Sequence, residues 1–474
     1  MKKNNILKNL LNFSIGPLGA AVINFLTIPL ITHMVTPEEY GKTAVFMLLQ
    51  TLILTVGYLG MDQSFVREFN QANSKRDLFF NSYIFPFSLS LILSIVLFLF
   101  SSEISILIFS EDNPIVIQAF SLWIPFVVIE RFILLYIRME EKGLTYSIFN
   151  IVVKISIFIC TLILLTFFGK TYTHVIVANV IGQVISDIFL IILCRKYFIK
   201  SYLPFSKKLL VKMFKYGLPF IPTTLLIWFV NSTDRISLER FSNSTELGIY
   251  FAALKVIGVF VIFQNIFSTF WIPLAFRWEK EGVGNESYTK VSRVLTFIMS
   301  LIFIIILSAK DLFVLILSEE YSDIVSVIPF LIFYPIMFTV AESTGLGISF
   351  ARKTHYNIWI WISLFIVNII LNILLVPSYS ALGAAIAYGV TYILYFWIKT
   401  IISRILWYKF SLRYYVFQTI ILTLVSIINI LLKSNEWVYI INFLFIITIL
   451  VGSKDIVKDL KLKQVKKLVL RQKL

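Results

Sequence analysis

Apolar runs of about twenty residues recur along almost the whole chain, separated by short polar or charged breaks. A bilayer core about 30 Å thick is crossed by about 20 residues of α-helix, so these runs read as membrane spans. The pattern predicts fourteen: 10–31, 42–61, 78–100, 114–137, 147–168, 173–194, 215–233, 247–270, 290–309, 324–348, 357–377, 381–400, 413–432 and 436–452. Composition agrees, since 58% of the 474 residues are hydrophobic and only 14% are charged. A soluble globule cannot hide that much apolar surface. The expected fold is an all-α polytopic membrane protein.

Charge then sets an orientation. With Lys2, Lys3 and Lys8 on the cytoplasmic side, the connections on that side total +23 and those opposite total −7, and charges inside the spans cancel to leave the net +16. Lysine and arginine accumulate on the cytoplasmic side of membrane proteins, so both termini are expected there. The basic balance therefore reflects topology and contact with anionic lipid, and nucleic-acid binding is not expected. The connection 195–215 and the tail 454–474 are the most basic stretches. Residues 454–461 also have an amphipathic helical pattern suited to the inner membrane surface. The run after Lys8 lacks a small-residue cleavage pattern and is expected to stay as the first helix.

The chain also repeats itself. Gly41 reappears as Gly248 at an offset of 207, and Tyr172, Ala178 and Gly182 reappear at the same offset as Tyr379, Ala385 and Gly389. Pro125 matches Pro329 at 204 and Tyr146 matches Tyr356 at 210. A near-constant offset over four regions implies two related halves, as many transporters are built. The expected division is a six-helix bundle in 1–205, a second in 206–405, and an extra helix pair with a basic tail in 406–474.

Segments outside the bilayer are too short for a nucleotide-binding or catalytic domain, and no phosphate-binding G-x-x-x-x-G-K-[ST] loop occurs. Cys160 and Cys194 fall near opposite faces of the membrane, too far apart for a disulfide. His33, His174 and His355 are scattered, so no metal or other cofactor is expected.

Charges predicted within the spans are Glu130, Arg131, Lys154, Asp187, Lys255 and Glu342. A charge at membrane depth costs several kcal/mol and usually faces a cavity or a partner. Arg131, Lys154 and Lys255 are the candidates for holding an anionic group, and Glu130, Asp187 and Glu342 for counter-charges or a proton or sodium site. Snorkelling of the two inner cations and structural ion pairing of the carboxylates are the plainer alternatives. Gly16, Pro17 and Pro29 in the first helix of one half match Gly217, Pro219 and Pro222 in the first of the other. Such paired interruptions mark a hinge, a substrate path or a packing kink.

Phe13-Ser14-Ile15-Gly16-Pro17, Ile28-Pro29-Leu30, Thr36-Pro37-Glu38-Glu39-Tyr40-Gly41 and Gly60-Met61-Asp62-Gln63-Ser64-Phe65-Val66-Arg67-Glu68 follow one another without gaps. This run closely resembles the polysaccharide biosynthesis family of O-antigen and capsule repeat-unit flippases. Tyr216-Gly217-Leu218-Pro219, Asn231-Ser232-Thr233-Asp234-Arg235, Thr245-Glu246-Leu247-Gly248-Ile249-Tyr250 and Leu382-Gly383-Ala384-Ala385-Ile386-Ala387 extend the likeness through about residue 405. The resemblance implies the multidrug/oligosaccharidyl-lipid/polysaccharide exporter superfamily, with two six-helix bundles in a V around a central cavity.

The implied activity is transfer of a polyprenyl-diphosphate-linked oligosaccharide from the inner to the outer leaflet of the bacterial cytoplasmic membrane. Its implied company is membrane lipid, H+ or Na+, and the polymerase and other proteins of polysaccharide assembly. Asp62, Arg67, Asp234 and Arg235 lie in the matching motifs, the two arginines as gates or anchors at the two mouths. A peptidoglycan-precursor flippase and a cation-coupled multidrug exporter are the alternatives within the superfamily. A membrane polymerase or ligase of lipid-linked sugars is the alternative from another class.

Overall fold

The structure, a computed structural model, describes residues 3–69, 72–195, 205–353 and 355–456. All regular structure in them is helical, and the chain forms two compact units, Met1–Ala252 and Ala253–Leu474. The first contains α1 (Lys3–Thr32), α2 (Pro37–Gly57), α3 (Met61–Glu68), α4 (Lys75–Leu99), α5 (Ser101–Phe109), α6 (Pro114–Met139), α7 (Gly143–Phe167), α8 (Tyr172–Leu193), α9 (Lys207–Gly217) and α10 (Phe220–Phe241). The junction falls within α11 (Ser244–Gly258). The second continues with α12 (Val261–Lys280), α13 (Asn285–Ser308), α14 (Lys310–Leu317), α15 (Ile324–Leu331), α16 (Phe333–Thr344), α17 (Leu346–Phe350), α18 (His355–Leu406), α19 (Arg413–Leu432) and α20 (Trp437–Gly452).

Helix starts follow local chemistry. Thr36 Oγ1 accepts from the Glu39 amide at 3.4 Å, with Pro37 as the first residue of α2 and Glu38 and Glu39 in its first turn. A hydroxyl cap, a proline without a donor to waste and negative charge near the positive helix end all favour starting there. Asn243 Oδ1 does the same for α11, accepting from the Glu246 amide at 2.9 Å.

Ten helices among the described residues are long and apolar enough to cross a membrane, or twelve when α9–α10 and α11–α12 each count as one bent span. The chain is therefore a multi-pass membrane protein. Within the 52-residue α18, Ser380 leaves helical geometry at φ 46°, ψ −126°, between the predicted spans 357–377 and 381–400. Several predicted ends need correction, among them the start of the seventh span, at Lys207 rather than 215. Helix α10 continues to Phe241 rather than 233, and α12 to Lys280 rather than 270. In α10 hydropathy falls because Ser232, Thr233 and Asp234 are buried against protein, while the helix itself goes on.

The paired interruptions differ. Helix α1 runs unbroken through Pro17 and Pro29, whereas α9 and α10 meet at a 42° bend around Leu218-Pro219. An isolated proline deletes one donor, while Gly217 and Pro219 together end α9, and Pro222 falls in the first turn of α10. In α1, Gly16 serves a close approach instead, since a Cβ there would lie 2.5 Å from the Ser147 Cα of α7.

Lipid and protein faces separate cleanly in the first unit. On α4, Ile92, Ile95 and Leu99 are 61%, 60% and 68% exposed, the surface a bilayer would cover. Helix α6 is the unit's central helix. Its Phe120, Ile124, Val128 and Phe132 are buried, joining one core around Phe46 and Trp123 and another around Phe65, Phe79 and Tyr136. In the second unit Trp271, Tyr288, Phe350 and Trp407 form an aromatic cluster, with Tyr288 and Trp407 ring centres 4.8 Å apart. Buried Lys310 donates to the Asn429 carbonyl at 2.9 Å, and Asn429 Nδ2 to Asn442 Oδ1 at 2.8 Å, tying α19 and α20 to α14.

Candidate functional site

The first unit contains a cavity of about 540 Å³ between the second half of α2, the start of α3, α6 and α10. Polar side chains reach its walls from all four helices. Asp62 sits in the first turn of α3, and Arg131 Nη2 donates to its Oδ2 at 2.8 Å. Gln63 Nε2 donates to the same oxygen at 3.0 Å. The Arg131 guanidinium lies 5.5 Å from the Tyr58 ring centre, and its buried Nε has no hydrogen-bond partner. Across the cavity, Arg235 Nη2 donates to the Asn231 carbonyl at 2.7 Å, one turn back on α10. Trp228 donates its indole N–H to Thr51 Oγ1 at 3.0 Å.

Two guanidinium groups and one carboxylate leave the lining with a net positive charge. Guanidinium forks match phosphate oxygens, and the Trp228 and Tyr58 faces with nearby hydroxyls suit a polar ring. Arg131 holds Asp62 with one nitrogen, so it has donors left for a ligand.

One residue back on α6, Glu130 faces a different group. Gln183 Nε2 on α8 donates to Glu130 Oε2 at 2.9 Å and to Asp187 Oδ1 at 3.1 Å, so one amide bridges two carboxylates. Asp187 is wholly buried and its Oδ2 has no partner. Lys154 on α7 and Arg131 both lie within Coulombic reach of Glu130. The arrangement can hold a proton or a small cation between carboxylates that otherwise repel.

The remaining predicted residues lie elsewhere. Asp62, Arg131 and Arg235 share the cavity; Lys154 does not line it and instead faces Glu130. Arg67 stacks over the Tyr216 ring at 4.1 Å, and Asp234 is buried in α10. Lys255 and Glu342 belong to the second unit, where Lys399 Nζ donates to Glu342 Oε1 and to Tyr395 Oη, both at 2.9 Å. Sequence reasoning missed Gln183, Trp228 and Lys399. An uncharged amide one turn before Asp187 was the available signal for the first. A tryptophan inside an apolar run gave little for the second.

Both ends of α2 are pinned by glycine crossings. A Cβ on Gly41 would lie 1.9 Å from the Ser244 carbonyl oxygen, and one on Gly248 would lie 1.8 Å from the Pro37 carbonyl oxygen. The two repeat-related glycines thus pack on each other, with Tyr40 and Phe251 rings 5.0 Å apart beside them. At the other end Gly60, at φ +68°, meets Gly217, and Ser64 Oγ donates to the Met213 carbonyl at 2.6 Å. The cavity lies along the stretch between these crossings.

Solved structures place the fold. The chain is similar to a lipid II flippase MurJ in an inward closed conformation, with 17% identity, a TM-score of 0.71, and coverage of 94% of this chain and 99% of that one. It is also similar to a multidrug resistance MATE family transporter of the MOP superfamily in an outward-facing conformation, with 13% identity, a TM-score of 0.53, and coverage of 84% and 95%. A search of curated protein sequences finds no match. The class is therefore a multi-pass membrane protein whose fold is shared with these transporters. The polysaccharide biosynthesis protein family matches residues 6–279, more than half of the chain, and the chain belongs to that family.

Proposed function

We propose that this protein is a flippase that moves a polyprenyl-diphosphate-linked oligosaccharide repeat unit from the inner to the outer leaflet of the bacterial cytoplasmic membrane. The observation that carries the reading is the cavity of the first unit, where Arg131 and Arg235 lie with Trp228 and hydroxyl groups in the walls. A diphosphate calls for cations and a sugar for aromatic faces and hydroxyls, and the lipid tail would stay in the bilayer. Membership of a polysaccharide biosynthesis family supports the substrate class. In this reading Lys154 and Lys255 add positive charge to the path, and Arg67 and Arg235 act as gates. Glu130 and Asp187 take the coupling proton or cation, while Glu342 is balanced by Lys399.

The proposal includes fourteen spans, counting α18 as two at Ser380 and α20 as one, with both termini cytoplasmic. It divides them into bundles 1–205 and 206–405 and an added pair in 406–474 that work by alternating access. Substrate would be supplied by glycosyl transfer on the inner face and consumed by polymerisation on the outer.

Lipid extraction and mass spectrometry of cells lacking the protein, beside complemented cells, test this. A completed polyprenyl-diphosphate oligosaccharide should accumulate on the cytoplasmic side; its absence, or its presence on the outer face, would overturn the reading. A second reading, a peptidoglycan-precursor flippase, is favoured by the fold likeness to a lipid II flippase. Accumulation of a disaccharide-pentapeptide lipid in the same experiment would establish that one instead.

A further inference from the structure

The second unit holds another polar cavity, of about 460 Å³, where α13 begins, α18 joins α19 and α20 has just ended. Lys290 and Arg293 on α13 and Tyr408 and Lys409 in the α18–α19 connection line it. Hydrogen bonds fix its walls. Thr289 Oγ1 and Tyr408 Oη lie 2.6 Å apart, and Ser292 Oγ and Tyr415 Oη 2.7 Å. Tyr414 Oη pairs with Ser453 Oγ at 3.1 Å and holds the end of α20 against α19. The Arg293 guanidinium lies 6.0 Å from the Tyr414 ring centre, and its buried Nε has no hydrogen-bond partner. An arginine and two lysines lining one cavity suit an oxyanion.

Glu286 and Asp455 line the same cavity, which rules against a compact dianion and narrows the ligand. A phosphodiester bearing hydroxyl groups satisfies both signs, its phosphate on the cations and its hydroxyls donating to the carboxylates. Val294 and Ile456 add apolar wall for the acylated end of such a molecule.

We propose that this cavity binds the headgroup of an anionic glycerophospholipid of the phosphatidylglycerol type, at the cytoplasmic membrane surface. The site shares no residue with the cavity of the first unit and does not depend on which substrate is carried. Binding there would anchor the start of α13, the α18–α19 connection and the end of α20 to one lipid.

Thermal unfolding of the purified full-length protein in detergent tests this, with phosphatidylglycerol, phosphatidylcholine or sodium phosphate added. Phosphatidylglycerol should raise the Tm of the wild type in a concentration-dependent way, because a ligand of the folded state stabilises it. Phosphatidylcholine at the same fraction, which has the phosphate but no hydroxyls, should not. Arg293→Gln and Lys409→Gln should each weaken the apparent lipid affinity by about tenfold. Lys409 is exposed, so its variant carries the test if Arg293→Gln is itself unstable. Equal shifts with the two lipids, a phosphatidylglycerol shift retained in Lys409→Gln, or a shift reproduced by sodium phosphate would each overturn the proposal. The last outcome would assign the cavity to a soluble oxyanion.

Discussion

A single methyl group added at Gly41 should force α2 and α11 apart. Its Cβ would lie 1.9 Å from the Ser244 carbonyl oxygen and 2.8 Å from the carbonyl carbon. Ordinary contact needs about 3.5 Å, so more than an ångström is missing. Both obstructing atoms are backbone, and no rotamer change relieves them. Overpacking costs about 1–3 kcal/mol, and the upper end applies where neither side is a flexible tip. About 3 kcal/mol is roughly a hundredfold in an equilibrium. Gly41→Ala should therefore depopulate by that factor any state in which the two helices touch as they do here.

The assay is labelling of Ser244→Cys by a membrane-impermeant maleimide in intact cells, with Cys160 and Cys194 replaced by alanine. Ser244 opens α11 and is half-buried in the crossing, which the proposed topology places on the outer side. Gly41→Ala should speed its labelling by at least tenfold and slow transport. Adding Gly248→Ala should change little more, because helices already parted no longer collide. Labelling at the wild-type rate together with normal transport would refute the reasoning, since the crossing would then be neither tight nor part of the cycle.

Asp187→Asn or Gln183→Leu should abolish any pH or sodium dependence of transport while leaving membrane insertion intact; unchanged ion dependence in reconstituted vesicles would exclude the pair from coupling. Arg131→Gln should leave Asp62 without its cation and lower transport at least tenfold, and adding Asp62→Asn should restore thermal stability without restoring transport. Lys399→Gln should lower stability by about 3 kcal/mol, because it strands Glu342 in a largely buried site, and Glu342→Gln in the same chain should recover most of that Tm loss. Between α5 and α6, a hydrogen bond from Lys42 holds the Glu111 carboxyl below the usual carboxylate range. The resulting stabilisation is full above the unfolded-state value and lost as pH falls through the lower folded one, so Glu111→Gln should flatten the acid limb of a Tm profile.

Periodicity and hydropathy located the helices but not what they meet. The apolar windows fall on described helices from α1 to α20, because lipid-facing residues have to be apolar whatever their neighbours. Boundaries shifted where polar residues face protein. Hydropathy drops from Asn231 onward, yet α10 continues, and Arg235, a mouth residue by the resemblance, lines the cavity. Lys399 lies one residue from the predicted end of a span at 400, and α18 runs past it to Leu406. Parts of the basic stretches 195–215 and 454–461 lie outside the described residues. Gln183 could not be picked out by charge at all, since an amide matters only once its two carboxylates are known to be adjacent. The repeat offset of Gly41 and Gly248 was visible, but their mutual contact was not, because a repeat says which residues correspond and not which ones touch.

On the proposed reading, Glu130 and Arg131 join the carboxylate pair and the cavity into one device. Consecutive residues on an α-helix point about 100° apart, so two neighbouring side chains on α6 reach two different sites. Arg131 turns to Asp62 and the cavity, while Glu130 turns to Gln183 and Asp187. Adding one positive charge at the carboxylates removes part of the attraction that holds the guanidinium. For charges about 8 Å apart at an effective dielectric constant near 20, that change is roughly 2 kcal/mol. A change of this size shifts a two-state equilibrium by roughly thirtyfold. On the proposed reading, an ion bound behind the cavity leaves Arg131 freer to engage an anionic headgroup, and a bound headgroup favours the ion by the same factor. Neither site needs to touch the other, because the coupling is electrostatic and acts across the space between the two side chains.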